Sequence, residues 1–354
     1  MNVRMKSNKR LEMISAKKYK NILLCSIFIV VFLILDLAIG KTLNYHENFD
    51  TQDMHSLMWN DFYKCDQNSI DVMFIGSSHA RFAFDTRIFD NELNVKSFNL
   101  ASSEQTPLIG YYSLKEALKY QKPKLVVYEA YWREFGIVDN TTSAYFVYDY
   151  IKGLDTKTKL LVSMYDNKNF SSFLLQALCK TYKYRDNFIP MAKNVLKGKI
   201  IKPSPAFKGT QYSNFKYYEN GSFGSDMVVS NEKLFKTNPF IKAGLYFKWN
   251  ETQLEYFKKT IEMCKDNNIK VLIITAPLPQ ATMNYVKNYD EYSNRIRSIT
   301  NDYGLEYIDY NIVNKKEGNF KNEFFFDSNH LNSKGTQLLD NILTSVIKEN
   351  LDMR

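Results

Sequence analysis

Cysteine, proline and glycine are scarce in this chain of 354 residues, which holds 4 Cys, 8 Pro and 13 Gly. These counts exclude a collagen-like repeat, a low-complexity chain and a small disulfide scaffold. The sequence also lacks the CxxC and HExxH spacings that are typical of metal sites. At most one disulfide is expected outside the apolar run that contains Cys25, and its pairing stays open. A composition of 45% hydrophobic and 24% charged residues instead indicates a folded core.

The net charge of +9 is concentrated at one end of the chain. Residues 1–20 hold seven lysine or arginine residues against Glu12 alone, which leaves a net charge of only +3 for the rest. A nearly neutral body with a basic tail is not the charge pattern that binds phosphate backbones. Nucleic-acid binding is therefore not expected.

An apolar run follows the basic tail at residues 21–40, with Asp36 as its only charge. About 20 apolar residues suffice for a helix to cross a bilayer, and positive charge before them favours a cytoplasmic N-terminus. We predict an uncleaved single-pass anchor with the body outside the cell membrane. A cleaved signal peptide, cut near Ala38 and Gly40, is the alternative. Asp36 has two interpretations, as an interfacial charge beside Lys41 or as a contact with a partner helix in the membrane.

Short apolar runs alternate with helical patterns in two parts of the chain, which predicts an α/β fold with a parallel sheet. The predicted strands are 71–75, 95–100, 124–129, 270–275 and 305–309. The predicted helices are 108–120, 251–267, 285–303 and 333–349.

The charge, the hydropathy and the alternation of predicted strands and helices divide the chain into five parts. They are a cytoplasmic tail (1–20), a transmembrane anchor (21–40), a tether (41–68), a catalytic domain (69–135 with 248–354) and an insertion (136–247). The insertion is rich in Tyr, Phe, Asn and Lys, and we expect it to cover the carboxyl edge of the sheet as a lid or acceptor platform. Its aromatic residues fit either core packing or the stacking of sugars.

Ser78 follows the first predicted strand in a Gly-Ser-Ser turn that opens a helix. That position brings a side chain to the carboxyl edge of a parallel sheet, where α/β proteins place their sites. The amides of the helix N-terminus would also stabilise negative charge there. The alternative is that Ser77 and Ser78 only cap the helix.

Asp327 and His330 supply the groups that a serine nucleophile needs. A histidine removes the hydroxyl proton near neutral pH, and a carboxylate orients the imidazole. The chain has four histidines, of which His46 and His55 lie in the predicted tether and His79 is expected to point away from Ser78. His330 is thus the expected base, although Asp327 as a helix cap beside a surface histidine is the alternative.

Gly76-Ser77-Ser78 and Asp327-x-x-His330 together resemble the first and last motifs of the SGNH hydrolase superfamily, usually Gly-Asp-Ser and Asp-x-x-His. The resemblance covers 69–135 and 248–354 and implies a three-layer α/β/α, flavodoxin-like fold. The anchor and the insertion resemble the membrane-anchored branch that contains the D-alanyl transfer protein of teichoic acid synthesis and the alginate O-acetylation proteins. The resemblance implies that Ser78 is the nucleophile, His330 the base and Asp327 the orienting acid.

The middle motifs depart from the superfamily pattern. The second block reads Asn99-Leu-Ala-Ser102-Ser-Glu104, where an oxyanion-hole glycine usually stands, and a backbone N–H can still serve there. The third block aligns with Glu129-Ala-Tyr-Trp132-Arg and lacks the usual asparagine. Asn99, Ser102, Glu104 and Trp132 are the candidate oxyanion or substrate-binding residues.

These patterns predict an extracytoplasmic serine O-acyltransferase that modifies a cell-envelope glycopolymer. An esterase that removes acyl groups from such polymers is one alternative, because the same triad serves both reactions. A non-enzymatic assembly or glycan-binding factor is the other. No metal or dissociable cofactor is required. The acyl donor would come from a membrane-bound partner that exports acyl groups.

Overall fold

The computed structural model describes residues 2–47, 54–137, 141–165, 168–183, 211–212, 215–229 and 247–352, together with Arg185, Ile189, Lys193, Leu196 and Lys197. The chain divides into two compact units. The first comprises residues 1–51 and 171–204, and the second comprises residues 52–170 and 205–354.

The strands are β1 (Val72–Ile75), β2 (Ser97–Asn99), β3 (Leu125–Glu129), β4 (Gln211–Tyr212), β5 (Phe215–Tyr217), β6 (Phe223–Gly224), β7 (Lys270–Thr275) and β8 (Tyr307–Asp309). The helices are α1 (Asn2–Glu47), α2 (Met54–Phe62), α3 (Ser78–Ala83), α4 (Thr86–Leu93), α5 (Pro107–Ala117), α6 (Thr141–Tyr148), α7 (Leu154–Ser163), α8 (Phe170–Leu178), α9 (Lys180–Lys183), α10 (Glu251–Asp266), α11 (Gln280–Met283), α12 (Tyr289–Asp302), α13 (Tyr310–Glu317) and α14 (Ser333–Asn350).

The main sheet is parallel and has five strands in the order β2-β1-β3-β7-β8. Counted within the sheet, this is the flavodoxin-like order 2-1-3-4-5. The predicted α/β fold with a parallel sheet is therefore confirmed. A small antiparallel sheet of β4, β5 and β6 comes from the predicted insertion.

Helices cover both faces of the main sheet, because the strands are apolar on both sides. One face contributes Phe74, Val127 and Leu272 to a core that includes side chains of α3, α4 and α14. On the other face, Tyr128 of β3 packs edge-on against Phe257 of α10 at 5.0 Å between ring centroids, and α10 packs against α5. The result is the expected three-layer α/β/α arrangement.

The apolar run of the sequence lies within α1. Residues Lys17–Gly40 have a mean hydropathy of 3.1 over their most apolar window, and the helix is long and apolar enough to cross a membrane. The large apolar side chains from Ile22 to Leu37 are exposed in the isolated chain. Asp36 and Gly40 are buried within the first unit.

The predicted tether differs from the structure in part. Residues 54–62 form helix α2, whose Trp59 and Phe62 are almost fully buried. Phe62 packs edge-on against Phe98 of β2, with 5.4 Å between the ring centroids. Residues 48–53 lie outside the described residues, as do 198–210 and 230–246 of the predicted insertion.

Candidate active site

The turn after β1 depends on Gly76. Its φ of +149° is a conformation that side chains disfavour, and a Cβ there would lie 2.8 Å from the Ala80 Cβ and 3.0 Å from the Glu129 backbone oxygen. Ser77 then caps α3, because its side chain accepts a hydrogen bond from the His79 N–H at 3.2 Å. Ser78 is the first residue of α3 and is half-buried. The capping role falls to Ser77 and leaves the Ser78 hydroxyl available for other contacts.

Ser78 meets His330 across 252 residues of sequence. The Ser78 Oγ lies 2.9 Å from His330 Nε2, and His330 Nδ1 lies 2.8 Å from Asp327 Oδ2. In this geometry the Asp327 carboxylate accepts a hydrogen bond from Nδ1–H of His330, which leaves Nε2 without a proton and able to accept the proton of Ser78. The three side chains predicted to act together therefore form one hydrogen-bonded row.

The loop from Phe325 to Leu331 fixes the histidine. Phe325 and Leu331 form a β-bridge, and the Phe326 N–H donates to the His330 backbone oxygen at 3.1 Å. Asp327 Oδ1 accepts hydrogen bonds from the N–H groups of Asn329 and His330 at 2.7 and 2.8 Å. One carboxylate thus holds both the backbone and the imidazole of His330.

The alternative role of Asp327 as the cap of α14 does not match the structure. Asn332 caps that helix, since its Oδ1 accepts from the N–H groups of Lys334 and Gly335, each at 3.1 Å. Asp327 is therefore left for the contacts with His330 that its position in the loop allows.

Aromatic rings enclose the imidazole of His330. Phe326 stacks on it with ring centroids 5.3 Å apart, and Phe82 of α3 approaches edge-on at 5.4 Å. Phe215 of β5 contacts both Phe82 and Phe326 at 5.1 and 5.4 Å. Phe215 belongs to the predicted insertion, and it therefore packs against two residues that contact His330 directly.

Opposing effects set the pKa of Asp327. Burial raises the pKa, but the charge of His330, the hydrogen bond to its ring and the two backbone N–H donors outweigh burial. The net effect holds the pKa below its ordinary value, so the carboxylate stays ionised at neutral pH. An ionised Asp327 can stabilise a positive charge that forms on His330.

Asn99 and Ser102 have structural contacts inside the molecule. The Asn99 amide donates to the backbone oxygens of Ala80 and Phe84, both at 3.1 Å, and accepts from the Ala101 N–H. Ser102 Oγ donates to Gln105 at 3.0 Å, and the Ser102 N–H donates to the Gly76 oxygen at 3.2 Å. Both side chains are fully buried, and they hold the turns around Ser78.

Glu104 and Trp132 lie on two loops at the carboxyl ends of the strands. Glu104 is half-buried with φ +49° and pairs with Arg133 at 3.5 Å. Trp132 is buried and packs edge-on against Tyr131 and Phe247. A substrate-binding role for Asn99, Ser102, Glu104 and Trp132 stays a prediction.

A second histidine lies directly beside the nucleophile position. His79 Nδ1 lies 2.8 Å from Glu129 Oε1, and both side chains are buried. The His79 ring stacks on Tyr131 at 4.5 Å, and the Tyr131 hydroxyl donates to Asn329 at 3.2 Å. Sequence reasoning placed His79 away from Ser78 but did not find Glu129, because the pair joins residues 50 positions apart. The shared signal is that both residues lie at the carboxyl ends of neighbouring strands: Glu129 ends β3, and His79 is in the helix that follows the turn after β1.

His55 and Arg81 also support the second block. The Ser103 N–H donates to His55 Nε2 at 3.1 Å, and the His55 ring stacks on Phe146 at 4.0 Å. Arg81 is fully buried, and its guanidinium donates twice to the Ala101 oxygen at 3.2 Å. The sequence offered no local pattern for these contacts, since both depend on tertiary packing.

Within the described residues, no group of three or more His, Cys, Asp or Glu side chains could hold a metal ion. The described site consists of a serine, a histidine and an aspartate at the edge of the sheet.

These features define the class: an α/β protein with a flavodoxin-like strand order that carries a hydrogen-bonded Ser–His–Asp set at the carboxyl edge of its sheet. The sequence matches the family described as "Protein of unknown function (DUF1574)" over residues 29–345, and the chain belongs to that family. No curated protein matches the sequence.

Solved structures that resemble this chain include two from Bacteroides. A candidate acylhydrolase from Bacteroides fragilis NCTC 9343 is 12% identical, with a TM-score of 0.37, and the match covers 84% of this chain and 95% of that one. A GDSL-like lipase from Bacteroides thetaiotaomicron VPI-5482 is 11% identical, with a TM-score of 0.39, and the match covers 85% of this chain and 98% of that one. At these values the neighbours assign no activity to this chain.

Proposed function

We propose that this protein is a membrane-anchored, extracytoplasmic serine O-acyltransferase of the SGNH type that modifies a cell-envelope glycopolymer. The observation that carries the proposal is the row Ser78–His330–Asp327, with separations of 2.9 and 2.8 Å. Such distances lie within the hydrogen-bond range that a general base needs to remove a proton from a hydroxyl.

In the first step, Ser78 Oγ attacks the carbonyl carbon of an acyl donor while His330 Nε2 takes the hydroxyl proton. The carbonyl oxygen gains negative charge, and the backbone N–H of Ser78 at the start of α3 would stabilise it, since the His79 N–H already donates to Ser77 Oγ. Collapse of this intermediate breaks the bond to the leaving group, which receives the proton from His330. The product is an acyl ester on Ser78.

In the second step, a hydroxyl of the glycopolymer gives its proton to His330 and attacks the ester. The bond between the acyl carbon and Ser78 Oγ breaks, and His330 returns the proton to Ser78. Asp327 stabilises the imidazolium in both steps without accepting its proton. The cycle leaves Ser78 and His330 as they began and requires no metal or dissociable cofactor.

Hydrolysis is the second candidate reaction, and one observation favours it. Ser78 is half-buried and keeps some exposure to solvent, so both water and a polymer hydroxyl can reach an acyl ester there. Transfer requires that an acceptor exclude water. The packing of Phe215 on Phe326, which stacks on His330, supports a contribution of β5 to that exclusion. The membrane-bound partner that supplies acyl groups remains part of the proposal.

Labelling with a fluorophosphonate tests the nucleophile, because this reagent reacts with activated serines. We expect the wild type to be labelled and Ser78→Ala to be unlabelled. Ser77→Ala is the matched control: it removes a helix cap, at a cost of about 1 kcal/mol, but keeps the hydroxyl beside His330. Labelling of the Ser78→Ala variant would contradict a mechanism in which Ser78 is the nucleophile.

Acylation of envelope polymer in cells then separates the functions. Loss of polymer acyl groups in Ser78→Ala supports transfer, whereas their accumulation supports an esterase. Unchanged acylation in Ser78→Ala at matched protein levels would leave only a non-enzymatic assembly or binding role.

A further inference from the structure

The carboxylate of Asp36 is bound by a distant segment of the same chain. It accepts hydrogen bonds from the N–H groups of Lys180 and Thr181, both at 2.8 Å, and from the hydroxyl of Thr181. The Cys179 thiol adds a fourth contact at 3.1 Å. The start of α9 is therefore bonded to a residue of the apolar helix α1, within the first compact unit.

Gly40 makes the approach of the two helices possible. It lies one turn after Asp36 on the same face of α1, and a Cβ at this position would lie 2.3 Å from the Cβ of Lys180. Since the apolar span ends at Gly40 and a helix rises 1.5 Å per residue, Asp36 lies about 6 Å inside the end of the span. The bonded residues Cys179–Thr181 share that depth.

Positive charge is concentrated in the segment that Asp36 binds. Residues 171–204, here called the basic segment, hold seven lysine or arginine residues against Asp186 alone. The second compact unit has a net charge of −1 by the same count. The insertion therefore contains a local excess of positive charge that the near-neutral average of the body conceals.

Large apolar side chains are exposed along the same segment. The exposed fractions are 47% for Leu175, 62% for Leu178, 64% for Ile189 and 86% for Leu196. Lysine and arginine residues interleaved with exposed leucine and isoleucine are typical of elements that lie in the interface of a bilayer, with apolar groups about 5–10 Å below the headgroups. The depth of the Asp36 contact falls in this range.

We propose that the described part of the basic segment, residues 171–183 with Arg185, Ile189, Lys193, Leu196 and Lys197, lies in the headgroup layer of the membrane that α1 spans and binds anionic phospholipid, with Leu175 and Leu178 inserted among the acyl chains. The inference rests on the membrane anchor of the proposed function but not on its chemistry. It gives the chain a second attachment to the bilayer, made by residues of the insertion.

The apolar side chains favour a lipid surface over an anionic glycopolymer. A soluble polyanion would engage the lysine and arginine side chains but would leave Leu175 and Leu178 in water, which costs the hydrophobic free energy of both. Continuity with α1 adds to this, because the Asp36 contact keeps the end of α8 next to the apolar span.

Tryptophan fluorescence of the full chain in lipid nanodiscs tests the inference. Leu178→Trp and, as a second variant, Leu175→Trp are incorporated into discs of phosphatidylcholine and phosphatidylglycerol whose acyl chains carry bromine. We expect the added fluorescence, after subtraction of the wild-type signal, to be quenched. Lys265→Trp, at an exposed position on α10, provides the reference for a tryptophan in the second unit.

Charge reversal tests the headgroup contact. Lys180→Glu with Lys183→Glu in the Leu178→Trp chain is expected to reduce the quenching and to abolish its dependence on phosphatidylglycerol. Lys265→Glu with Lys348→Glu makes the same change of net charge in the second unit and is expected to leave the quenching unchanged.

The outcomes separate this inference from the proposed function. Failure of the chain to remain in the discs would overturn the anchor and the inference together. Incorporation of the Leu178→Trp and Leu175→Trp chains with quenching no greater than that of the Lys265→Trp reference would overturn the inference alone. So would a fluorescence shift of the two introduced tryptophans that occurs only with a soluble polyanion, since that result identifies the segment as a polymer-binding element.

Discussion

The imidazole of His79 lies 2.8 Å from the carboxylate of Glu129. His79 directly follows Ser78, the residue that bonds to His330. His79 and Ser78 are adjacent in sequence, yet each forms a pair with a different element: β3 for His79 and the loop before α14 for Ser78. The rings of His79 and His330 are 6.3 Å apart between centroids. The start of α3 is therefore held from two sides.

His79→Ala should destabilise the fold more than Ser78→Ala does. It leaves the Glu129 carboxylate buried without its main partner, at a cost on the order of 3 kcal/mol. Glu129→Gln keeps an oxygen that can accept from His79 and should cost less. Chemical unfolding of the three variants checks this order, and a His79→Ala chain as stable as Ser78→Ala would contradict it.

Asp327→Asn should slow fluorophosphonate labelling by about 10²–10⁴-fold, because a misoriented imidazole cannot take the Ser78 proton. The same change weakens the turn that the N–H groups of Asn329 and His330 form on Oδ1. Labelling rates at matched concentrations check the effect. Asp226→Asn, an exposed aspartate, serves as the control and should label at the wild-type rate.

Deprotonation of the buried Glu134 should lower the free energy of unfolding as the pH rises. Burial raises the pKa of Glu134 to about 8, with Arg133 opposing and Glu104 and Glu129 adding to the shift. The unfolded chain releases this proton near pH 4.5, so the folded state binds more protons between pH 4.5 and about 8 and loses stability across that window.

The variant Glu134→Gln removes this titration. Its melting temperature should exceed that of the wild type by a margin that grows from pH 5 to about 8 and then stays constant. Thermal unfolding at a series of pH values measures the margin. Glu255→Gln, which is exposed on α10, should show no such trend. A margin that is independent of pH would contradict the raised pKa.

Gly76→Ala should prevent correct folding of the turn that carries Ser78. The added Cβ meets Ala80 at 2.8 Å and Glu129 at 3.0 Å, and neither neighbour is the end of a flexible side chain. Gly318→Ala is the matched control, because Gly318 has φ +68° but no described atom within 4 Å of the new Cβ. It should cost only about 1 kcal/mol. Soluble yield and labelling of both variants compare the two effects.

A reporter fused after Arg354 tests the topology. Residues 1–20 carry +6 on the N-terminal side of the apolar run, so the body is expected outside the membrane. Alkaline phosphatase at this position should be active, and a fluorescent protein that folds only in the cytoplasm should be dark. The opposite pair of results would reverse the orientation.

The parallel sheet could be predicted from sequence because its strands are uniformly apolar and its helices follow at regular spacing. The Ser78–His330 contact could be predicted because both residues stand at signals that are local: a Gly-Ser-Ser turn and an Asp-x-x-His loop. Asp36 shows why other contacts could not. Its donors at Lys180 and Thr181 come from a stretch with no pattern that identifies a cap, and 145 residues separate Asp36 from Thr181.

Helix α2 shows a second limit. Polar and aromatic residues in 54–62 fit a tether by composition, but Trp59 and Phe62 find neighbours on β2 and on the helix itself. Whether an aromatic residue is packed or exposed depends on surfaces that other segments supply. The sequence of a short segment does not contain that information.

The distance along the chain between Ser78 and His330 has a consequence for biosynthesis. At about 5–20 residues per second, roughly 13–50 s separate the synthesis of the two residues. Throughout that interval the Ser78 hydroxyl lacks its contact with the His330 imidazole and keeps the low reactivity of an ordinary alcohol. In the proposed mechanism, Ser78 therefore becomes reactive only after residues 327–330 have been synthesised and have folded against it.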